Sequence, residues 1–199
     1  MKISVQMVKE LREATGAGVL EAKKALEKVE GDYDKAVDIL REKGAARAAK
    51  RAGRDAKEGR VELYEHPGNR VGVILELNCE TDFVARNEQF IELAHDLALH
   101  IAAMNPQYLN TDQVPQEDID RETEVLKSQA LAEGKPEAIV DKIVSGRINK
   151  FYEETCLMEQ GFVKDDKVKI KDLITNAIST TGENIKIRRF NRYELGESL

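Results

Sequence analysis

Tryptophan is missing from this 199-residue sequence, aromatic residues of all kinds make up 5% of it, and only two cysteines occur. Cys79 and Cys156 lie far apart, so a disulfide framework is excluded and reduced thiols of a cytosolic protein are the default. No apolar run approaches the roughly 20 residues that cross a bilayer. No signal peptide precedes the first amphipathic helix, so no membrane role is expected and the cytoplasm is the expected location. Chemistry is scarce too. No phosphate-cradling glycine loop or nucleophile elbow occurs. His66, His95 and His100 form no metal pattern; the last two are five apart, the wrong spacing for one helix face, and all three are expected at the surface or rim. Carboxylates sit among lysines as solvated pairs. No cofactor, metal or catalytic residue is therefore expected, and the chain reads as a binding protein rather than an enzyme. A basic excess is also lacking: the net charge of -6 argues against bulk affinity for nucleic acid.

What is present is a globular, helix-rich balance of 41% hydrophobic and 34% charged residues, long enough for one or two domains with a real core. The first 45 residues read as three short helices. Val5, Val8 and Leu11 stripe the first, which Thr15-Gly16 ends, because glycine tolerates the left-handed turn that closes a helix. Val19, Ala22, Leu26 and Val29 stripe the second. Gly31 breaks the chain, Asp32 caps, and Tyr33, Ala36, Val37 and Leu40 stripe the third, which is expected to stop before Gly44. Residues 44–54, rich in alanine and basic side chains, could touch RNA or an acidic protein face. No aromatic residue interleaves to stack on bases, which favours a solvated helical linker and a domain boundary near Gly53.

From Arg60 the period changes. Val61 and Leu63 alternate with polar neighbours, His66-Pro67-Gly68-Asn69 supplies turn chemistry, and Val71, Val73, Leu75 and Leu77 line one face of a second strand. A long helix follows, capped by Asn87 and striped by Phe90, Leu93, Ala94, Leu97, Ile101 and Met104, wide enough to cover the sheet. Residues from about 116 to 159 read as a helical hairpin turning at Gly134-Lys135-Pro136. Its expected seam runs through Ile119, Thr123, Leu126 and Ala130 and returns through Ile139, Ile143, Ile148, Phe151 and Thr155. One more helix spans Ile170 to Ser179 and breaks at Thr181-Gly182-Glu183. The last strand, with Ile185, Ile187 and Phe190, slips its alternation at Arg188-Arg189, which predicts a bulge or an edge and completes a three-stranded antiparallel sheet. The fold class is α+β.

Between the second strand and the long helix lies Asn78-Cys79-Glu80-Thr81-Asp82-Phe83-Val84-Ala85-Arg86-Asn87. Thr81 or Asp82 can cap the first helical turn, since a side-chain oxygen satisfies amides that have no partner there. Phe83 follows at once. It either staples the helix start to the core, the commoner fate of a phenylalanine, or stands out beside Asp82 as a tool against a partner's surface.

This run, together with Leu11-Arg12-Glu13-Ala14-Thr15-Gly16-Ala17-Gly18-Val19-Leu20-Glu21-Ala22-Lys23-Lys24-Ala25-Leu26 upstream, resembles the signature of the elongation factor Ts family. The likeness extends over the whole chain through Gly134-Lys135-Pro136, Glu159-Gln160-Gly161-Phe162-Val163 and Arg189-Phe190. It implies a ubiquitin-associated-like three-helix domain over residues 1–53 and a core and dimerisation domain over 54–199. It implies a guanine-nucleotide exchange factor for elongation factor Tu that dislodges Mg2+ and promotes GDP release. Thr81, Asp82, Phe83 and Val84 are then the segment that dislocates the partner's Mg2+. Leu11, Arg12, Thr15, Gly16, Ala17, Gly18, Val19, Leu20, Lys23 and Arg51 are expected at the partner interface. Longer members carry a second sheet-and-helix half and a C-terminal module, whereas this sequence ends at Gly196-Glu197-Ser198-Leu199. Short members resemble this chain and dimerise, so a homodimer through the three-stranded sheet and its C-terminal strand is expected, two such chains with two of factor Tu. The alternative, an RNA- or ribosome-binding protein using the basic linker, predicts steeply salt-dependent RNA binding; direct nucleic-acid binding is not expected.

Overall fold

A computed structural model describes residues 3–197. Three helices come first: α1 (Val5–Thr15), α2 (Val19–Lys28) and α3 (Tyr33–Arg51). The Ser4 hydroxyl accepts from the Met7 amide to start α1, and Gly16, at φ 64°, ends it. The Asp32 carboxylate caps α3 through the Lys35 amide. Leu11, Ala17, Ala22, Ala25, Leu26, Ala36 and Leu40 form their common core. Val5, expected on the stripe, is exposed, and Ile3, Met7 and Val8 pack partly against the core in its place. The third helix does not stop before Gly44 but continues unbroken to Arg51, as the alanines favour. Gly44 is buried where α3 crosses a later helix: a Cβ there would lie 3.2 Å from the Ser179 hydroxyl and 3.4 Å from a Thr175 methyl. This glycine permits close packing instead of ending the helix.

Strands β1 (Glu58–Glu65) and β2 (Val71–Cys79) follow, then a four-residue helix α4 (Asp82–Ala85) and the long α5 (Glu88–Met104). Next come α6 (Gln116–Ala132) and α7 (Glu137–Thr155), a short pair β3 (Gly161–Phe162) and β4 (Asp165–Lys169), helix α8 (Ile170–Thr181) and finally β5 (Lys186–Glu194). The main sheet is antiparallel, in the order β1-β2-β5. Among the described residues no helix is long and apolar enough to cross a membrane.

One face of the sheet is closed by α5 and α8. Val73, Leu75, Leu77 and Ile187 meet Phe90, Ala94, Leu97, Ile101, Ile174 and Ile178 in the largest apolar cluster. Each fully buried Leu, Ile or Phe there contributes roughly 1.5–3 kcal/mol over an exposed one. The expected slip in β5 is a bulge: Glu76 pairs with Arg189 and Leu77 with Ile187, leaving Arg188 extra. Both arginines consequently reach Glu76, at 3.7 and 2.7 Å.

The apolar alternation of β1 faces the opposite way from the core. Leu63 pairs with Ile74, and Val61 with Glu76, so Val61, Leu63 and Ile74 share the outer face and are exposed. Glu62 points inward instead and is buried, held by Arg60 at 2.5 Å and His95 at 3.3 Å. A buried carboxylate is tolerable because both partners stay with it.

His100 is also not at the rim. It is fully buried, its Nε2 lies 3.0 Å from the Gln160 amide oxygen, and the Val163 amide donates to its Nδ1 at 3.1 Å. Gln160 in turn donates to the Glu154 carbonyl at 2.8 Å, so the ring ties α5 to the end of α7 and the start of β3. Burial pulls the His100 pKa down, partly offset by Gln160. In the hairpin, Leu126 and Ala130 pack on Val140 and Val144. Ile143 and Ile148 of the expected returning seam pack partly against this cluster, whereas Ile139 is exposed and Val140 takes its place.

Candidate functional site

The site is built where β2 hands over to α4. Leu77 and Cys79 are fully buried, so the strand end is anchored. The Cys79 thiol donates to the Thr81 carbonyl at 3.1 Å; burial, reinforced by the Glu183 carboxylate, pushes its pKa up to about 11, so it stays a protonated donor. Thr81 is the N-cap, its hydroxyl oxygen accepting from the Val84 amide at 3.4 Å.

Two adjacent side chains then take opposite directions. Val84 is driven into the core at 6% exposure, while Phe83 stands in solvent at 79%. Phe83 therefore does not staple the helix to the core. Asp82 is exposed beside it and pairs with Arg86 at 3.0 Å, a surface pair worth at most about 1 kcal/mol and easily exchanged for another cation. Thr81 is exposed as well. Of the four expected residues, three face outward, and Val84 is the internal anchor that aims them.

The upstream segment divides in the same manner. Leu11, Thr15 and Ala17 are buried in the bundle and have no surface to offer. The Thr15 hydroxyl donates to the Leu11 carbonyl at 2.6 Å and receives the Ala17 amide at 3.4 Å, which shapes the turn. Arg12, Gly18, Val19, Leu20 and Lys23 are exposed, and Gly16 is half-buried. Val19 and Leu20 thus form an exposed apolar pair at the head of α2. That helix start is held by Glu21, which pairs bidentately with Arg47 of α3; the arginine holds the Glu21 carboxyl below its usual range. Arg12 and Gly16 also border an open groove of about 710 Å³ whose other walls are Gln89 and Phe90 of α5 and Leu173 and Thr180 of α8.

Two of the four basic side chains in the stretch, Arg47 and Arg54, are paired within the chain. Arg47 holds Glu21, and Arg54 reaches Glu80 at 3.5 Å. Arg51 is half-buried, and its Nε is buried without a hydrogen-bond partner among the described residues. An RNA groove is not favoured by this arrangement. Sequence reasoning missed Glu183, whose carboxylate takes three donors from the junction, because its partners are a hundred residues away and nothing local marks it. Among the described residues no cluster of three or more His, Cys, Asp or Glu side chains could hold a metal ion.

Comparison with known proteins places these features in a family. Residues 2–197 match the family model described as elongation factor TS. A protein of Herpetosiphon aurantiacus named "Elongation factor Ts" is 58% identical over 198 residues, covering the whole of both chains. Proteins of the same name from Syntrophomonas wolfei and Syntrophus aciditrophicus are 56% and 54% identical; the first alignment covers 99% of this chain and 92% of the relative, the second 100% and 99%.

Proposed function

The chain belongs to the elongation factor Ts family, a family of translation elongation factors, and on that footing we propose that it is a guanine-nucleotide exchange factor for elongation factor Tu. It binds the GDP form of that GTPase in the cytoplasm and releases GDP, so that GTP can load during translation elongation. The observation that carries the reading is Phe83, an apolar ring 79% exposed on a turn fixed at both ends. Burying such a ring in a partner's crevice is worth about 1.5–3 kcal/mol. A turn already held in shape loses little entropy on docking.

The energetic demand sets the mechanism. A GTPase that holds its nucleotide with a dissociation constant of about 1 nM, and binds it at about 10⁶ to 10⁷ per molar per second, releases it at roughly 10⁻³ to 10⁻² per second. Release at about 10 per second requires a weakening of at least a thousandfold, about 4 kcal/mol. No contact with the nucleotide is needed. Coupling is reciprocal, so a protein that binds the empty GTPase more tightly loosens the nucleotide by the same factor. In this proposal Phe83 enters a crevice of the GTPase, Asp82 contacts it alongside, and elements that support the partner's Mg2+ are displaced. Losing that cation removes the charge that neutralises the phosphates. Val19 and Leu20, with Arg12 and Lys23 around them, form the second contact. Residues 1–53 and 54–199 act as the two units that carry these contacts, each with its own apolar cluster.

The outer face of the sheet supports a homodimer, two copies acting with two of factor Tu. Val61, Leu63, Ile74 and Tyr193 are exposed together on it, an apolar surface of the type that pairs with its own copy.

The test is release of a fluorescent guanine nucleotide from elongation factor Tu, with and without this protein. Acceleration by about a hundredfold or more at saturation is expected, and a rate unchanged by the protein rules the exchange function out.

A further inference from the structure

The last turn of α8 and the loop behind it touch the turn that ends α1, the residues just past α3 and the junction ahead of Phe83. The Thr180 hydroxyl, 2.9 Å from the Asn176 carbonyl one turn back, also lies 3.3 Å from the Gly16 carbonyl in the bundle's turn. Asn184, buried at 3% exposure, donates to the carbonyls of Ala52 at 3.4 Å and Arg54 at 2.8 Å, just past the end of α3. Glu183 lies between them. One of its carboxylate oxygens accepts from the backbone amides of Glu80 and Thr81, both at 3.0 Å, and the other accepts from the Thr81 hydroxyl at 2.6 Å. The contact is returned, because the Glu80 carboxylate accepts from the Asn184 amide at 2.6 Å.

These bonds act where the backbone has least support of its own. β2 ends at Cys79 and α4 begins at Asp82, so the amides of residues 80 and 81 belong to neither ladder. A four-residue helix adds almost nothing to its own orientation, since helical bonds reward only longer runs. The Thr81 hydroxyl is also polarised by Glu183. Having given its hydrogen to the carboxylate, it keeps its lone pair for the Val84 amide, the cap of α4.

We propose that Glu183 is a positioning residue for exchange, fixing the direction in which Phe83 is presented by clamping the two peptide units ahead of it. The inference rests on the wedge role of Phe83 given above. Glu183 touches neither partner nor nucleotide in this account and acts only through the turn.

The test compares Glu183→Ala, Phe83→Ala and the double variant in the nucleotide-release assay, with folding checked by circular dichroism. Glu183→Ala is expected to lower the maximal release rate about tenfold while changing the half-saturating concentration less than about threefold. In the Phe83→Ala background the same substitution should change the rate less than about twofold, since a residue acting only through Phe83 has nothing left to position. Glu183→Gln, whose amide oxygen can still receive both backbone amides, should keep at least about a third of the wild-type rate. If alanine prevents folding, Glu183→Ser, polar but too short to reach, takes its place. A wild-type maximal rate in Glu183→Ala, or effects that multiply in the double variant, overturns the proposal. The two readings fail separately: an inert wild type removes the exchange function, whereas an active wild type with an equally active Glu183→Ala removes only the positioning role.

Discussion

The hydroxyl of Thr180 shares its one hydrogen between the Asn176 carbonyl of its own helix at 2.9 Å and the Gly16 carbonyl at 3.3 Å, and a Cβ added to Gly16 would come within 2.6 Å of that same hydroxyl oxygen. With φ at 64°, Gly16 is also in a conformation that costs other residues about 1–2 kcal/mol. Gly16→Ala should therefore destabilise by about 2 kcal/mol in urea unfolding. Adding Thr180→Ala should cost less than the sum of the two single changes, because it removes the nearest obstacle to the new methyl and leaves only the Asn176 carbonyl at 3.2 Å.

Phe83→Ala and Val84→Ala should separate function from stability within one helical turn. The first removes an exposed ring and should leave the unfolding free energy within about 0.5 kcal/mol, while slowing nucleotide release tenfold or more. The second empties part of the core and should cost about 2–3 kcal/mol. Chemical denaturation and the release assay, run side by side, check both.

His100 gives the fold a pH dependence of definite sign. Its folded pKa lies below the ordinary value because the ring is buried, and its Nδ1 must stay unprotonated to receive the Val163 amide. Below about pH 6.5 the unfolded chain takes up a proton that the folded chain refuses. Stability from this site is thus complete above that pH and is lost as pH falls through it. Denaturation midpoints should drop between pH 7.5 and 5.5, above the carboxylate range, and His100→Gln should show a shallower drop.

Leu63→Glu and Ile74→Glu address the sheet's outer face. Both side chains are exposed and paired across β1 and β2, so a charge there should leave the monomer fold intact. Wild-type protein at micromolar concentration should sediment as a dimer, and either variant should sediment as a monomer with an unchanged circular dichroism spectrum.

Local chemistry was the legible part of the fold. Thr81, Asn87, Asp32 and Gly16 cap or close helices as their types demand, and the slip at Arg188-Arg189 is a bulge. Long-range consequences were not legible. Alternation shows that β1 has an apolar face but not which way it points; the register with β2 turns Val61 and Leu63 outward beside Ile74 and sends Glu62 inward to Arg60 and His95. His100 looked peripheral because its partner Gln160 is sixty residues away. In the hairpin, Ile139 and Val140 are equally apolar, and only packing against α6 selects the second. Strands β3 and β4 are short and mostly polar, too brief for any period to register. At the site the stretch from Thr81 to Val84 was visible as a unit, whereas the division of labour inside it, three residues out and one in, required the core against which Val84 sits.

α3 alters how the molecule responds to load. Nineteen residues at about 1.5 Å each make a strut of roughly 28 Å, rooted in the bundle at one end. Toward its other end it lies against α8, with Gly44 beside Thr175 and Ser179. A hinge in residues 44–51 would let the bundle grip a partner while the rest of the chain idled. The continuous rod denies that freedom, so any displacement of the bundle is handed directly to α8, the helix on which the rod lies.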